Sequence, residues 1–272
     1  MSELVEVMSE IARIAGAAIL QVYGEEDFGV QIKPDDSPLT RADLAAHNII
    51  VSELGRRVPD IPILSEESDD ISYDERRSWH RYFLVDPLDG TKEFINRNGE
   101  FTVNIALIDE GVATLGVVYV PVKDVLYTGD QHEMTATVTR DQATQQISTR
   151  TLDQDSPLTI VASRRHGGDA LQSCLKVLHE HFSDIETTNM GSSLKLCLIA
   201  EGQADLYPRL APTSEWDTAA AQAVVEAAGG RVVDTSLAPL RYNTKENILN
   251  PFFYVLGDSQ FDWHRVLKDV TV

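Results

Sequence analysis

The period of the apolar residues changes twice along this chain, and those changes limit its architecture more than any single motif does. Leu4, Val7, Met8, Ile11, Ile14, Ala15, Ala18, Ile19 and Val22 recur at three- and four-residue intervals, with Gly24 beyond them, which predicts an amphipathic helix. Phe28, Val30 and Ile32 alternate and read as a short strand, followed by a polar loop through Asp35, Asp36, Ser37 and Pro38. A second helix is expected from Thr40. Thr40 and Asp43 have the spacing of a capping box, with Asp where Glu or Gln is usual, and Leu44, Ile50, Val51 and Leu54 supply the apolar face.

From residue 61 to about 128 the pattern becomes that of strands: Ile61 to Leu64, Tyr82 to Val85, Phe101 to Ile108, Val112 to Tyr119 and Val125 to Thr128. Asn98-Gly99 and Glu110-Gly111 are turn signals between them, so an antiparallel sheet is expected. The stretch 129 to 157 is polar and weakly patterned, which suits hairpins and a connection. From 158 a strand (Leu158 to Ala162) gives way to helices near 169–181, 193–201 and 217–228, the last ending at Gly229-Gly230. This predicts one domain over 1–272, with a first half (1–128) of helices plus antiparallel sheet and a second half (158–272) of α/β winding.

With 272 residues and 43% hydrophobic content the chain can bury a large core. No stretch approaches the roughly 20 apolar residues that span a bilayer, and Met1 to Glu10 carries acids where a secretory signal carries bases. A cytoplasmic protein without integral membrane contact is expected, with room left for loose peripheral association with the inner membrane face. Cys174 and Cys197 sit inside apolar helical patterns and read as reduced core thiols. The 43 acids and 23 bases leave a net charge of -20, which repels polymeric nucleic acid. A small anionic substrate would need bound cations or a local cluster of bases to offset that field. Nothing in the pattern fixes an oligomeric state.

Three acidic clusters fall at strand ends or helix starts, where side chains can converge on a shared cleft. Glu66-Glu67 follows the strand Ile61 to Leu64, Asp86-Pro87-Leu88-Asp89-Gly90-Thr91 follows Tyr82 to Val85, and Trp216-Asp217 opens an alanine-rich helix. Each has an ordinary structural explanation: a solvated loop, a proline turn, a helix cap. Asp86 to Thr91 is the hardest to explain that way. Two carboxylates straddling a proline-fixed turn can aim both charges and a backbone carbonyl at one point, the oxygen set that hard divalent cations take. Thr91 could orient an attacking water beside such ions or simply cap the following turn.

In order and spacing, these clusters resemble the signature of the inositol monophosphatase superfamily, and the resemblance spans nearly the whole chain. The longer string Val85 to Phe94, with Lys92-Glu93 where inositol phosphatases typically have Thr-Asn, resembles the branch that removes a phosphate from adenosine 3',5'-bisphosphate. Gly99 to Ile108 and Gly191-Ser192-Ser193-Leu194-Lys195 resemble its bacterial form. The resemblance implies a layered α-β-α-β-α sandwich of the inositol monophosphatase and fructose-1,6-bisphosphatase type, with the site between the halves. It implies a magnesium-dependent phosphatase, inhibited by lithium, that converts the small-molecule bisphosphate to AMP, with the sulfated analogue as a second substrate, in sulfur assimilation. Inositol or sugar phosphate hydrolysis is the alternative reaction. A non-catalytic nucleotide-binding regulator is the alternative of another class.

Residue by residue, the resemblance implies that Glu66, Asp86 and the Leu88 carbonyl hold one Mg2+, that Asp86, Asp89 and Asp217 hold a second, and that Glu67 assists a weaker third. Thr91 would position the nucleophilic water, itself held by Asp43. Substrate contacts are implied at Glu66, Leu88, Asp89, Gly90, Thr91, His166, Ser192, Lys195, Arg209 and Asp217. A helix start near Ser192 with a cation one turn on would suit an anionic group, while a helix cap and solvated side chains are the plain alternatives. The chain departs from that bacterial branch at Asp130 to Met134 and at Arg164-Arg165-His166. Neither departure touches the implied metal ligands.

Overall fold

The computed structural model describes residues 2–34, 36–68, 71–153, 156–162 and 168–270. Helix α1 (Glu3–Tyr23) buries Val5, Met8, Ile11, Ala12, Ala15 and Ile19 along one stripe, as its three- and four-residue spacing requires. The run Phe28 to Ile32 forms less strand than expected. Only β1 (Gln31–Ile32) pairs, with the equally short β2 (Pro38–Leu39), and Ile32 stays exposed. Helix α2 (Arg41–Arg57) starts at Thr40, where the expected capping box is present.

Strand β3 (Ile63–Ser65), the short helix α3 (Tyr73–Arg76), β4 (Arg81–Asp89), the one-turn helix α4 (Thr91–Ile95), β5 (Thr102–Asp109), β6 (Val112–Val120) and β7 (Val125–Asp130) follow. Beyond residue 128 the polar stretch continues the same sheet as β8 (Thr135–Arg140) and β9 (Ala143–Ile147). Among the described residues these strands form one sheet in the order β3 to β9, antiparallel except for the parallel β3–β4 pair. A second sheet takes β10 (Leu158–Ala162), β11 (Ile185–Asn189), β12 (Leu206–Arg209), β13 (Arg231–Asp234) and β14 (Phe253–Leu256) in the order β11-β10-β12-β14-β13. The helices of this part are α5 (Asp169–His181), α6 (Leu194–Ala200), α7 (Ala219–Ala227) and α8 (Trp263–Leu267), with a 3-10 turn at Glu215–Asp217 before α7.

Strand periodicity sorts the apolar residues into three cores. Phe83 and Val85 of β4 point into a core with α1 and α2, whereas Tyr82 and Leu84 point the other way, against α6 and α7. Val161 and Val255 reach that same middle core from the second sheet, while Ile160 and Leu256 face away from it, toward Cys174 and Leu178 of α5 and Trp263 of α8. The layers therefore run helix, sheet, helix, sheet, helix. Cys174 and Cys197 are buried free thiols. No helix among the described residues is long and apolar enough to cross a membrane.

One contact in the middle layer bears directly on the acidic clusters. An added Cβ at Gly116 would lie 2.0 Å from the Ala220 carbonyl oxygen, and one at Gly129 would lie 2.5 Å from Val224 Cα. Helix α7 thus rests with its backbone directly on β6 and β7, at positions where only glycine fits. The turn that carries Asp217 immediately precedes this helix.

Candidate active site

Parallel pairing brings the first two acidic clusters together. Strands β3 and β4 run side by side with Ser65 opposite Val85, so Glu66, one residue past the end of β3, comes beside Asp86 of β4, and Glu66 N–H donates to the Val85 carbonyl at 3.0 Å. Residues three apart on a regular strand face opposite sides. Here Asp86 pairs with Asn104 and Asp89 with Thr102, so β4 carries one extra residue between its two aspartates. The bulge turns both carboxylates to the α6–α7 side and leaves Pro87 and Leu88 without a register partner. Asp86 Oδ1 accepts the Leu88 N–H at 3.0 Å, which stiffens the bend. Gly90, at a φ of 96°, ends the strand and caps α4.

Thr91 therefore stands at the first position of α4, and its hydroxyl donates to Asp43 Oδ1 at 3.1 Å, with the Leu88 carbonyl farther off at 3.4 Å. The other Asp43 oxygen accepts from Thr40 N–H at 2.7 Å and from the Thr40 hydroxyl at 2.5 Å. The α2 capping box and the Thr91 contact thus use opposite edges of one buried carboxylate. Burial raises the Asp43 pKa, against the lowering effect of the Thr40 bonds.

The remaining carboxylates crowd one another. Burial raises Asp86 well above the usual range, and the charges of Glu66, Asp89, Asp217 and Asp43 push it further. Burial and the Asp89 and Glu66 charges do the same to Asp217, one oxygen of which accepts the Ser214 N–H at 2.9 Å. Lys33 reaches in from the segment between β1 and β2, with Nζ 2.8 Å from Glu66 Oε1 and 2.5 Å from Glu67 Oε1. Burial opposes its charge, but the two glutamates raise its pKa. Among the described residues no three His, Cys, Asp or Glu side chains form a ready metal-binding cluster. The donor chemistry nonetheless fits divalent cations. Four acidic side chains repel one another in a partly buried space, and an ammonium group already bridges one edge of it.

Asp89 and Asp217 also line a cavity of about 340 Å³. Its walls include Gly90, Lys92, Glu93, Ser192, Lys195, Tyr207 and Arg209. Lys195 is 8% exposed, and burial pushes it down to about 8, against the attraction of Asp89. Its Nζ donates to the Ser192 carbonyl at 2.6 Å and lies 5.7 Å from the Tyr207 ring centroid. Arg209 donates to the Pro212 carbonyl at 2.9 Å, while its Nε is buried without a partner. Asp43, Thr91, Glu66, Glu67, Asp86 and Leu88 are not among the walls of this cavity; Asp86 meets Asp89 and Asp217 through their charges. His166 lies outside the described residues.

The helix start near Ser192 differs from the expectation. Ser192 adopts a φ of 45°, and the N–H of the next residue, Ser193, is taken by the Asp89 carboxylate. That N–H does not face the cavity as a free donor. From the sequence Lys33 has no assigned role, and Thr102, Asn104 and Ser193 enter only within the strings that carry the family resemblance. Two polar residues two apart in the otherwise apolar run 101–108 were the signal for Thr102 and Asn104, whereas nothing local marks Lys33.

Residues 1–260 match the inositol monophosphatase family. The chain is 50% identical over 253 residues to the 3'(2'),5'-bisphosphate nucleotidase CysQ of Escherichia coli K12, covering 93% of this chain and 99% of the relative. It is 35% identical over 249 residues to the protein of the same name from Haemophilus influenzae, covering 92% of this chain and 91% of that one. The crystal structure of CysQ from Bacteroides thetaiotaomicron, described as a bacterial member of the inositol monophosphatase family, superimposes with a TM-score of 0.82 at 40% identity, covering 94% of this chain and 97% of the other.

Proposed function

This chain belongs to the inositol monophosphatase family of metal-dependent phosphatases, and we propose that it is a 3'(2'),5'-bisphosphate nucleotidase converting adenosine 3',5'-bisphosphate and water to AMP and phosphate. The sulfated analogue is its second substrate, and the reaction belongs to sulfur assimilation. The two buried, unpaired cysteines suit a reducing compartment, and we place the reaction in the cytoplasm.

The observation that carries this reading is the sharing of Asp89 and Asp217 between the carboxylate cluster and a cavity that Lys195 and Arg209 also line. A ligand with two anionic ends matches that division. One phosphate would meet the cluster and the other the two bases.

Glu66, Asp86 and the Leu88 carbonyl would hold one Mg2+, Asp86, Asp89 and Asp217 a second, and Glu67 would assist a weaker third. When bound, the ions supply positive charge to the phosphoryl oxygens, the departing oxygen and the attacking water. The Thr91 hydroxyl, with its hydrogen directed to Asp43, keeps its lone pairs for a proton of that water. As the water oxygen bonds to phosphorus and the P–O3' bond breaks, the proton passes to Thr91 and the Thr91 proton to Asp43; the departing 3' oxygen takes a proton from solvent water to become the hydroxyl of AMP, and Asp43 returns its proton to the hydroxide so formed. Burial keeps the Asp43 carboxylate more basic than a free one, which suits that role. Lys195 and Arg209 orient the nucleotide through its second phosphate, with Ser192 and Gly90 shaping the floor.

A phosphate-release assay over adenosine 3',5'-bisphosphate, its sulfated analogue, inositol 1-phosphate and fructose 1,6-bisphosphate, with and without Mg2+, tests this. Preference for the adenosine bisphosphates, dependent on Mg2+, is expected. Preference for inositol or fructose phosphate would overturn the substrate assignment, and nucleotide binding with no turnover would favour the regulator.

A further inference from the structure

Strand β5 carries two polar residues on the face that otherwise packs against α6 and α7. Thr102 and Asn104 are 0% and 1% exposed, and their outward neighbours on that face, Ala106 and Ile108, belong to the middle core. Burying a hydroxyl and an amide in such a wall is unfavourable unless their bonds are made. The Thr102 hydroxyl and the Asn104 carbonyl oxygen make theirs to Ser193. Its hydroxyl oxygen lies 2.9 Å from Thr102 Oγ1 and 2.9 Å from Asn104 Oδ1. Ser193 occupies the position from which a serine ordinarily caps a helix, yet its side chain caps nothing in α6.

The donor and acceptor roles follow from the chemistry. Asn104 Oδ1 can only accept, so the Ser193 hydrogen goes to it and the Thr102 hydroxyl donates to Ser193. This directs Asn104 Nδ2 the other way. Nδ2 is buried without a hydrogen-bond partner, so Asn104 is held through its oxygen alone. Ser193 in turn gives its N–H to the Asp89 carboxylate, which makes it the link between Asn104 and Asp89.

We propose that Asn104 is a positioning residue that locks Asp89 to the turn at 190–193 through Ser193, so that the ion-binding edge and the nucleotide-binding edge of the cavity move as one unit. This rests on the assignment of Asp89 as a ligand of a divalent ion in a phosphatase. The register explains why the residue is where it is: Asn104 is the strand partner of Asp86, and Thr102 that of Asp89.

The test is a titration of the purified chain with Mn2+ alone, followed by isothermal calorimetry, together with KM for adenosine 3',5'-bisphosphate. Asn104→Leu keeps the shape and removes both polar ends. Mn2+ affinity should weaken by about 10- to 100-fold, the usual effect of losing a group that orients a ligand, and KM should rise with it. Ser193→Ala keeps the N–H to Asp89 and should weaken Mn2+ binding in the same direction. The double variant should be scarcely worse than Asn104→Leu. Thr128→Val, which breaks the buried Thr128–Thr137 hydroxyl pair in the same sheet, controls for general loss of a buried hydrogen bond and should leave Mn2+ affinity unchanged. Wild-type Mn2+ affinity in a folded Asn104→Leu chain overturns the proposal. Should that variant fail to fold, wild-type affinity in Ser193→Ala does so. The Mn2+ titration needs no substrate, so failure of the nucleotidase assignment in the phosphate-release assay is read separately.

Discussion

Removing the Thr91 hydroxyl separates a proton-relay role from a structural one, because the geometry gives the two roles different costs. As a structural contact, the hydroxyl makes one bond of 3.1 Å to Asp43, and its loss should cost on the order of 1 kcal/mol of stability. The helix cap is Gly90 and not Thr91, so no capping energy is added. As the group that orients the attacking water, its loss in Thr91→Ala should lower kcat by roughly 10² to 10⁴. Asp43→Asn reaches the same point from behind. The Thr40 N–H can only donate and so requires an oxygen at the Oδ2 position, which puts the new amide nitrogen at the Oδ1 position, where it donates to Thr91. That reverses the Thr91 hydroxyl, and its lone pair no longer faces the water. If each single change costs about 10³, independent effects would multiply to about 10⁶, whereas one relay predicts a double variant near 10³. The assay is phosphate release at saturating Mg2+ and substrate, with Thr91→Ser expected to retain most activity. Multiplicative losses in the double variant would show that Asp43 does not act through Thr91.

Other consequences can be checked independently. Chelation should abolish turnover without changing the circular dichroism spectrum, while Mg2+ at about 100 times its Kd should stabilise by about 2.7 kcal/mol and raise Tm by roughly 5–10 °C; an unmoved Tm would contradict a cation site among Asp86, Asp89 and Asp217. Lithium, similar in size to Mg2+ with half the charge, should inhibit at millimolar concentration, and insensitivity would count against the assignment. Burial pushes Lys195 down to about 8, so its charge is lost as pH rises through that value, and KM for the nucleotide should climb from pH 7.5 to 9.5. Lys195→Met should show a KM about 10-fold higher or more at pH 7 with that climb removed; an identical profile in both proteins refutes the placement. Gly116→Ala would press a methyl into the Ala220 carbonyl at 2.0 Å, which should cost about 1–3 kcal/mol in urea denaturation and lower kcat by displacing the turn before α7. Wild-type stability and rate would show that α7 can move without consequence.

What the sequence disclosed and what it withheld follow from the range of the interactions involved. The capping box at Thr40 and Asp43 is a matter of four consecutive residues, so it could be located before the fold was known. The strands between 81 and 120 were legible because both of their faces are buried, which leaves long apolar runs. A hairpin was legible in the polar stretch after 128, and β8 with β9 forms one, but its membership of the first sheet was not, because β9 is exposed along most of its length and its residues are those of a polar loop. The acidic clusters stood out as motifs, but the extra residue between Asp86 and Asp89 shows only in the pairing with β5. Ser193 illustrates the limit most clearly. A serine before an apolar helical run reads as a cap, and only the arrival of β5 beside it redirects the hydroxyl to Thr102 and Asn104.

The placement of helices α6 and α7 between the two sheets gives the proposed ion site a meaning for the order of folding. Glu66, Asp86 and Asp89 belong to the first sheet and its loops, whereas Asp217 is presented by the turn before α7, which reaches its place only when that helix seats on Gly116 and Gly129. A chain that has formed only the first sheet would hold three of the acids and bind divalent ions weakly. On the proposed ligand set, tight binding would return only when distant segments dock, and such non-local steps are the slow ones in chains of this length. During refolding, the recovery of ion affinity therefore acts as a clock for the docking of the second half, separate from the earlier recovery of secondary structure.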